Sequence, residues 1–408
     1  MTTFRIARRN LGRNVRRTLL ALAAIGLAQC AVLLIDGMLR GYSDAMVDAV
    51  TGPMLGHVQI HAPGWRREQS MDLSLPHVGE SLTKLRADST VETASARIYA
   101  PVLVARGEQG FVGVVVGLEP RREENARGLL GEAGAAQLAA HDVLLGTGLA
   151  REMGAKSGDE LAIVGQAADG SIANDLYRVA GVIKSPVDVV QSTGIVMTLS
   201  AAQELFVMPD AAHEITIHGR DAGQAAALAK RIGGLPEFRG AEVQSWSQLA
   251  PELITMLKMN DFFTWVIMLL VFIAAAAGVA NTMLMATFER NHELGMLLAL
   301  GCTPGRIVWM ITLEAVVLGV LGVTLGSVLG VSLNAALAVH GIDMASLGMD
   351  AIENLTFAGM NYGMRIVPRT APGALLGGVF AVMLTSLLSA LLPALHASRL
   401  HPVEAMRA

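Results

Sequence analysis

The sequence predicts a membrane protein of four transmembrane α-helices, with one large α+β domain between the first and second helices. Three observations predict it. Of the 408 residues, 52% are hydrophobic and only 16% are charged, whereas a typical soluble domain is about 25% charged. The missing charge is concentrated in four long apolar stretches. Between the first two of these, residues 40–260 have ordinary mixed composition and suffice for one or two folded modules.

The spans follow from length. Roughly 20 apolar residues rising 1.5 Å each cross the hydrocarbon core. The first run, Thr18 to Ile35, lies between Arg17 and Asp36 and gives a span at 18–39. The second, Phe262 to Phe288, lies between Asp261 and Glu289 and gives 261–288. The third, Ile307 to Ile342, is interrupted by Glu314 and gives 306–340. The fourth, Ala371 to Leu395, lies between Arg369 and His396 and gives 371–396. The first run has a basic leader but no small-residue cleavage pattern after it, so a retained anchor is expected.

Orientation follows from the arginines at 5, 8, 9, 13, 16 and 17, which hold the N-terminal end in the cytoplasm. Residues 1–17 then form a cytoplasmic arm, 40–260 lie outside, 289–305 inside, 341–370 outside, and the tail 397–408 inside. Arg365 and Arg369 on the outer side run against the rule but are outnumbered.

In the outer segment, His57-Val58-Gln59-Ile60 and Glu214-Ile215-Thr216-Ile217 alternate as half-buried strands do, and Phe111–Val116 and Gly194–Leu199 read as more buried strands. Ala201–Val207 and Ala222–Ile232 read as helices. Asp142–Gly146, a helical stretch to Met153, the turn Gly158-Asp159 and Glu160–Val164 make a strand–helix–strand unit. The polar stretch Gln166, Asp169, Gly170, Ser171, Asn174 and Asp175 reads as a hairpin loop before a strand at Tyr177–Ile183. It is either an ordinary solvated turn or a protrusion for a periplasmic partner. The charged run Glu119, Arg121, Arg122, Glu123, Glu124 and Arg127 reads as a solvated helix face.

The chemistry of an enzyme is not visible. A P-loop needs a lysine after its second glycine. The nearest match, Gly165 to Gly170 followed by Ser171, has none. There is no GxSxG, HExxH or CxxC. His57 and His61 share a strand face without a third ligand, so no metal is expected. A disulfide between Cys30 and Cys302 is not expected either. The net charge of −4 points to no nucleic-acid partner. Energy must therefore come from a partner or a gradient.

Within the spans, Gly322, Gly326 and Gly330 clear one helix face for close packing, inside the subunit or across a dimer. Glu314 lies where a carboxylate must be paired or wetted. Asn281 is placed to bond across helices.

The most informative stretch runs from Asn281 to Gly301. A helix leaves the membrane, acquires Glu289, Arg290, His292 and Glu293, then turns apolar through Leu294, Gly295 and Leu298 to Gly301. An amphipathic helix at the cytoplasmic surface is expected, lying in the headgroups or forming a ridge for a soluble partner. This stretch resembles the permease subunits of ABC transporters of the FtsX/MacB/LolC-LolE type, whose pattern N-T-[ML]-x-M-x-x-x-E-R-x-x-E-[IL]-G-x-x-[RK]-A-x-G it follows almost throughout. Leu298 departs from it where the family has Arg or Lys. The resemblance extends over the whole chain, including Asp142–Val164 and the tail from Ala397 to Arg407.

The resemblance implies that residues 289–301 dock into a cytoplasmic ATP-binding subunit dimer, which alone binds ATP and Mg²⁺. It implies that Phe4–Arg17 is an amphipathic helix on the inner membrane surface, and that a second permease subunit, identical or homologous, completes the transporter. In size and layout the lipoprotein-releasing type matches best. A lipoprotein would leave the outer leaflet for a periplasmic carrier through a cavity lined by Ala28, Val32, Ile35 and Met38 with Phe262, Val266 and Leu269. A MacB-like exporter of peptides, toxins or antibiotics and an FtsX-like regulator of a cell-wall hydrolase are the alternatives.

Overall fold

A computed structural model of the chain describes residues 15–123, 129–130, 138–343, 356–357, 360–361 and 365–398. It divides into a membrane unit (Met1–Ser43, Leu257–Ile342 and Arg365–Ala408) and an outer unit (Asp44–Met256 and Asp343–Met364). Among the described residues, four helices are long and apolar enough to cross a membrane. They are α1 (Val15–Val50), α2 (Pro251–Phe288), α4 (Pro304–His340) and α5 (Pro372–Ser398), with the short α3 (Asn291–Ala299) between α2 and α4.

Two of these outrun the expected spans. Helix α1 continues eleven residues past residue 39, and α2 begins ten residues before 261. Hydropathy marks the apolar stretch, not the helix. Past Asp36 the helix is supported by a pair four residues apart, Arg40 Nε to Asp36 Oδ2 at 2.7 Å, as i,i+4 charges do. The expected arm and tail fall mostly at 1–14 and 399–408, outside the described residues; Val15–Arg17 open α1 and Ala397 and Ser398 close α5.

In the membrane unit the glycine stripe of α4 lies on α1. A Cβ on Gly322 would stand 2.7 Å from that of Ile25, and one on Gly330 would stand 3.0 Å from that of Leu33. On Gly326 it would collide with the carbonyl oxygen of Gly26. Bare glycines let the two backbones meet. Two buried amides stitch the same contact. Gln29 Nε2 donates to Ser327 Oγ at 3.2 Å, and Asn334 Nδ2 donates to the Leu33 carbonyl at 2.8 Å and to Thr370 Oγ1 at 3.1 Å. An apolar core of Ala21, Ile25, Val279, Met283, Ile307, Met310, Ile311 and Val382 joins all four long helices.

Among the described residues the main sheet of the outer unit has nine strands: β1 (Val58–His61), β2 (Val91–Arg106), β3 (Gln109–Leu118), β4 (Asp142–Gly146), β5 (Glu160–Gln166), β6 (Ile172–Ile183), β7 (Gly194–Thr198), β8 (Glu214–Gly219) and β9 (Glu242–Ser245). Their order is β3-β7-β4-β6-β5-β2-β8-β1-β9, and β3 also pairs with β2. Six strands therefore close on themselves, and β8, β1 and β9 extend from the first half of the long β2. Pairing is antiparallel except for β3 with β7 and β4 with β6. Helices Val78–Ala87, Leu199–Leu205 and Ala225–Gly233 turn Leu82, Ala202 and Ile232 into one core with Ile60, Ile98, Val104, Leu145, Ile163 and Ile217.

Strand β6 starts at Ile172, not Tyr177. Asn174 pairs with Val164 and Asp175 with Ile163, so both belong to the strand and only Ala167–Ser171 turn. Two adjacent polar residues, one on each face of the strand, imitate a loop in sequence. The turn is closed locally, Asp169 Oδ1 accepting from Ser171 N at 2.9 Å and Oγ at 2.6 Å beside Gly170. In the charged run, Pro120–Glu123 is helical and Glu124 and Arg127 lie outside the described residues.

Candidate functional site

The stretch between α2 and α4 forms an elbow. Helix α2 ends at Phe288. Arg290 N reaches back to the Thr287 carbonyl at 3.1 Å, and α3 starts at Asn291. Helix α3 is stopped by Gly301, whose φ of +88° suits a residue without a Cβ. Gly301 N bonds to the Leu298 carbonyl and Cys302 N to the Leu297 carbonyl, both at 3.0 Å. Glycine in the left-handed region after the last turn, with the next N–H reaching five residues back, is a Schellman stop. Thr303 then leads to Pro304, which fits the first turn of α4 because its missing N–H would have had no partner there.

The elbow has an anchored side and an open side. On the anchored side, Leu294 is buried in the apolar core with Gly295, and Leu298 is half-buried against it. Arg290 Nη1 lies 3.2 Å from Glu314 Oε2, and its Nε lies 3.5 Å from Glu293 Oε2. This pair accounts for the carboxylate in the third span: Glu314 ties α4 to the start of α3. On the open side, Met296, Leu297 and Leu300 are exposed, Leu300 by 80%, beside exposed Glu289 and His292. The ridge lies beside the residues expected to dock, among which the apolar Leu294 and Leu298 face the bundle instead, although Met-x-x-x-Leu spacing on a short helix is its signal.

Other expected positions scatter. Asn281 is exposed on α2 rather than packed between helices, because the helix turns Val279 and Met283 inward instead. Val32 leaves the expected cavity lining. It is buried, with Gly378 of α5 against it. Ala28, Ile35 and Met38 are half-buried along α1. On α2, Phe262 and Leu269 are exposed and Val266 is half-buried. Helix α2 is the least covered of the four, with only 6% of its most apolar window buried.

His57 and His61 do not converge on a ligand. His61 is stacked on Trp65 with ring centroids 4.8 Å apart, its Nδ1 facing the His213 carbonyl at 3.2 Å. Burial lowers its pKa, opposed by the Glu214 carboxylate. Among the described residues no three His, Cys, Asp or Glu side chains are grouped to hold a metal. Cys30 and Cys302 are both free thiols.

Comparison with known proteins bears on both units. Residues 18–235 match the MacB-like periplasmic core domain, and residues 265–402 match the FtsX-like permease C-terminal region. The chain is 26% identical over 329 residues to an uncharacterized ABC transporter permease of Mycobacterium tuberculosis, covering 77% of this chain and 35% of that protein. It is 22% identical to the lipoprotein-releasing system transmembrane protein LolC of Neisseria meningitidis, over 47% of this chain and 48% of that one. It is 26% identical to the macrolide export ATP-binding/permease protein MacB of Burkholderia lata, over 47% of this chain and 25% of that one. The chain thus spans half or less of the length of each of these relatives. A solved periplasmic region of MacB from Actinobacillus actinomycetemcomitans aligns with 48% of this chain and 91% of its own, at 12% identity and a TM-score of 0.35.

Proposed function

The chain belongs to the ABC transporter permeases that join a MacB-like periplasmic core domain to an FtsX-like permease region, and from that premise we propose that it couples ATP hydrolysis by a separate cytoplasmic subunit dimer to motion of its outer domain. The elbow carries this reading. An apolar ridge of Met296, Leu297 and Leu300 faces away from the chain, while Leu294 and the Arg290–Glu314 pair bind the same helix to the bundle. A ridge that is exposed on one side and fixed on the other can pass force from a docked subunit into α2 and α4. ATP and Mg²⁺ belong to that subunit. The protein sits in the bacterial inner membrane beside a second permease, with its large domain in the periplasm.

For the substrate we propose a lipoprotein, taken from the outer leaflet and handed to a periplasmic carrier. The support is the likeness to LolC and the open apolar side of α2 at Phe262 and Leu269, which offers an acyl chain a lateral way in. Export of a peptide or drug is the second reading, supported by the likeness to MacB.

Leu300→Glu tests the coupling. It should abolish co-purification of the ATP-binding subunit and leave the permease folded. Undiminished recruitment and hydrolysis would overturn the docking role. Mass spectrometry of what co-purifies with and without ATP tests the substrate. Acylated proteins bound without ATP and released with it are expected. An adaptor and outer-membrane channel without them would favour export.

A further inference from the structure

The sheet β2–β8–β1 has one face in the apolar core and one face that is polar and yet buried. Register places Arg97, Glu214 and His61 in one row across the three strands, and Ser95, Thr216 and Gln59 in the next. Thr93 and His218 form a third row. Arg97, Thr216 and His61 are each 0% exposed and Glu214 is 4%. A buried polar face must be answered by hydrogen bonds.

What answers it is the end of the first long helix. Beyond Val50, α1 widens into a π-helical turn, Thr51–Leu55, and four successive carbonyls of that turn receive side-chain donors. His218 Nε2 faces the carbonyls of Thr51 and Gly52, each at 3.1 Å. Arg97 Nη2 donates to the Pro53 carbonyl at 3.1 Å and Nη1 to that of Met54 at 2.8 Å. Gln59 Nε2 donates to the Met54 carbonyl at 3.3 Å. The last carbonyls of a helix lack partners within it and carry its negative dipole end. A guanidinium, an imidazole N–H and an amide N–H are the donors they call for.

The charge of Arg97 is balanced inside the same face. Its Nη1 is 3.7 Å from Glu214 Oε1, which accepts from Thr216 Oγ1 at 2.6 Å and from the Tyr99 hydroxyl at 3.4 Å. The chain then enters β1 through Gly56, at φ +61° and against the side chain of Thr216, where a Cβ has no room.

We propose that this polar face is a socket that holds the end of the first long helix, residues 44–55, to the sheet of the outer unit, with Arg97 as the positioning residue through which movement of that segment reaches the sheet. The second half of this statement rests on the coupling function proposed above; the first half does not.

The test uses the full-length permease with its ATP-binding subunit in lipid nanodiscs, on a Cys30→Ala/Cys302→Ala background. Spin labels are carried by cysteines replacing Arg40 and Glu108, and the distance distribution between them is read with and without ATP. The key variant is Arg97→Met/Glu214→Gln, which removes both buried charges together and so leaves neither unpaired. The expected result is a broadened distribution without nucleotide and loss of the ATP-dependent shift, while ATP hydrolysis continues. A distribution as narrow as the parent's that still shifts with ATP overturns the proposal. If the double variant does not fold, Gln59→Leu and His218→Phe make the same test without loss of a buried ion pair. If the parent itself hydrolyses ATP without any shift, the coupling function fails instead, and the nucleotide-free widths still decide whether the socket holds the helix.

Discussion

The outer domain is joined to two long helices, and the two junctions are built from opposite chemistry. Helix α1 arrives by its C-terminal end, with carbonyls to satisfy, and finds Arg97, His218 and Gln59. Helix α2 leaves by its N-terminal end, with N–H groups to satisfy, and finds acceptors. Ser245 and Gln248 form a capping box around the turn Trp246–Leu249. Leu253 N then bonds to the Ala250 carbonyl at 3.1 Å, Pro251 opens α2 without an N–H, and Glu252 supplies an acid in the first turn. The two junctions are neighbours, because β1 and β9 pair and Trp246 N bonds to the His57 carbonyl at 3.0 Å. Helix polarity thus dictates that the arriving helix is held by buried cationic and amide side chains, and the leaving one by ordinary caps. The first is stiff and costly to disturb; the second is cheap.

The strongest way to break this contrast is Arg97→Met, which leaves Glu214 buried without its cation and should destabilise the outer domain by about 3–5 kcal/mol. Adding Glu214→Gln should recover much of that loss, so that the two changes are far from additive in thermal or denaturant unfolding. Next comes Gly326→Leu, which forces α1 and α4 apart at the carbonyl of Gly26 and should cost about 1–3 kcal/mol. It loosens the same helix at its membrane end, visible as lowered thermal stability in detergent. Ser245→Ala removes the cap at the leaving junction and should cost about 1 kcal/mol, with faster amide exchange confined to 246–254.

The gentlest probe is pH. Burial lowers the pKa values of His57, His61 and His213 from 6.5, helped at His57 by neighbouring His218 and opposed at His61 and His213 by Glu214. The unfolded chain therefore takes up protons first as pH falls. Stability is complete above about 6.5 and declines below it. Amide protection relative to the intrinsic exchange rate at each pH should fall from pH 7.5 to 5.5 around 51–61 and stay level around 246–254. Equal loss of protection at both would erase the contrast.

The four spans were legible in the sequence because apolar length is a local property. The reach of α1 to Val50 was not, since Asp36, Arg40, Asp44 and Asp48 look like a departure from the membrane although their spacing suits a helix. The elbow was legible as charge, Gly295 and Gly301; its ridge at Leu300 emerged only once Leu294 was seen to face the core. Gly322, Gly326 and Gly330 announced a close contact without saying that α1 makes it. The socket left no local trace. Gln59, Arg97 and His218 are far apart in sequence and meet only through the register of three strands. Asn174 and Asp175 show the opposite error, a strand read as a loop because two adjacent polar residues interrupt its apolar pattern.

Gly56 leaves no play between the end of α1 and a strand paired on both sides, so residues 44–55 have a fixed phase against the sheet. One residue inserted between Asp44 and Val50 would turn everything before it on that helix by about 100°. Length changes should be rare in residues 44–56 of related chains and common in the turn Ala167–Ser171, which answers to nothing beyond its own hairpin.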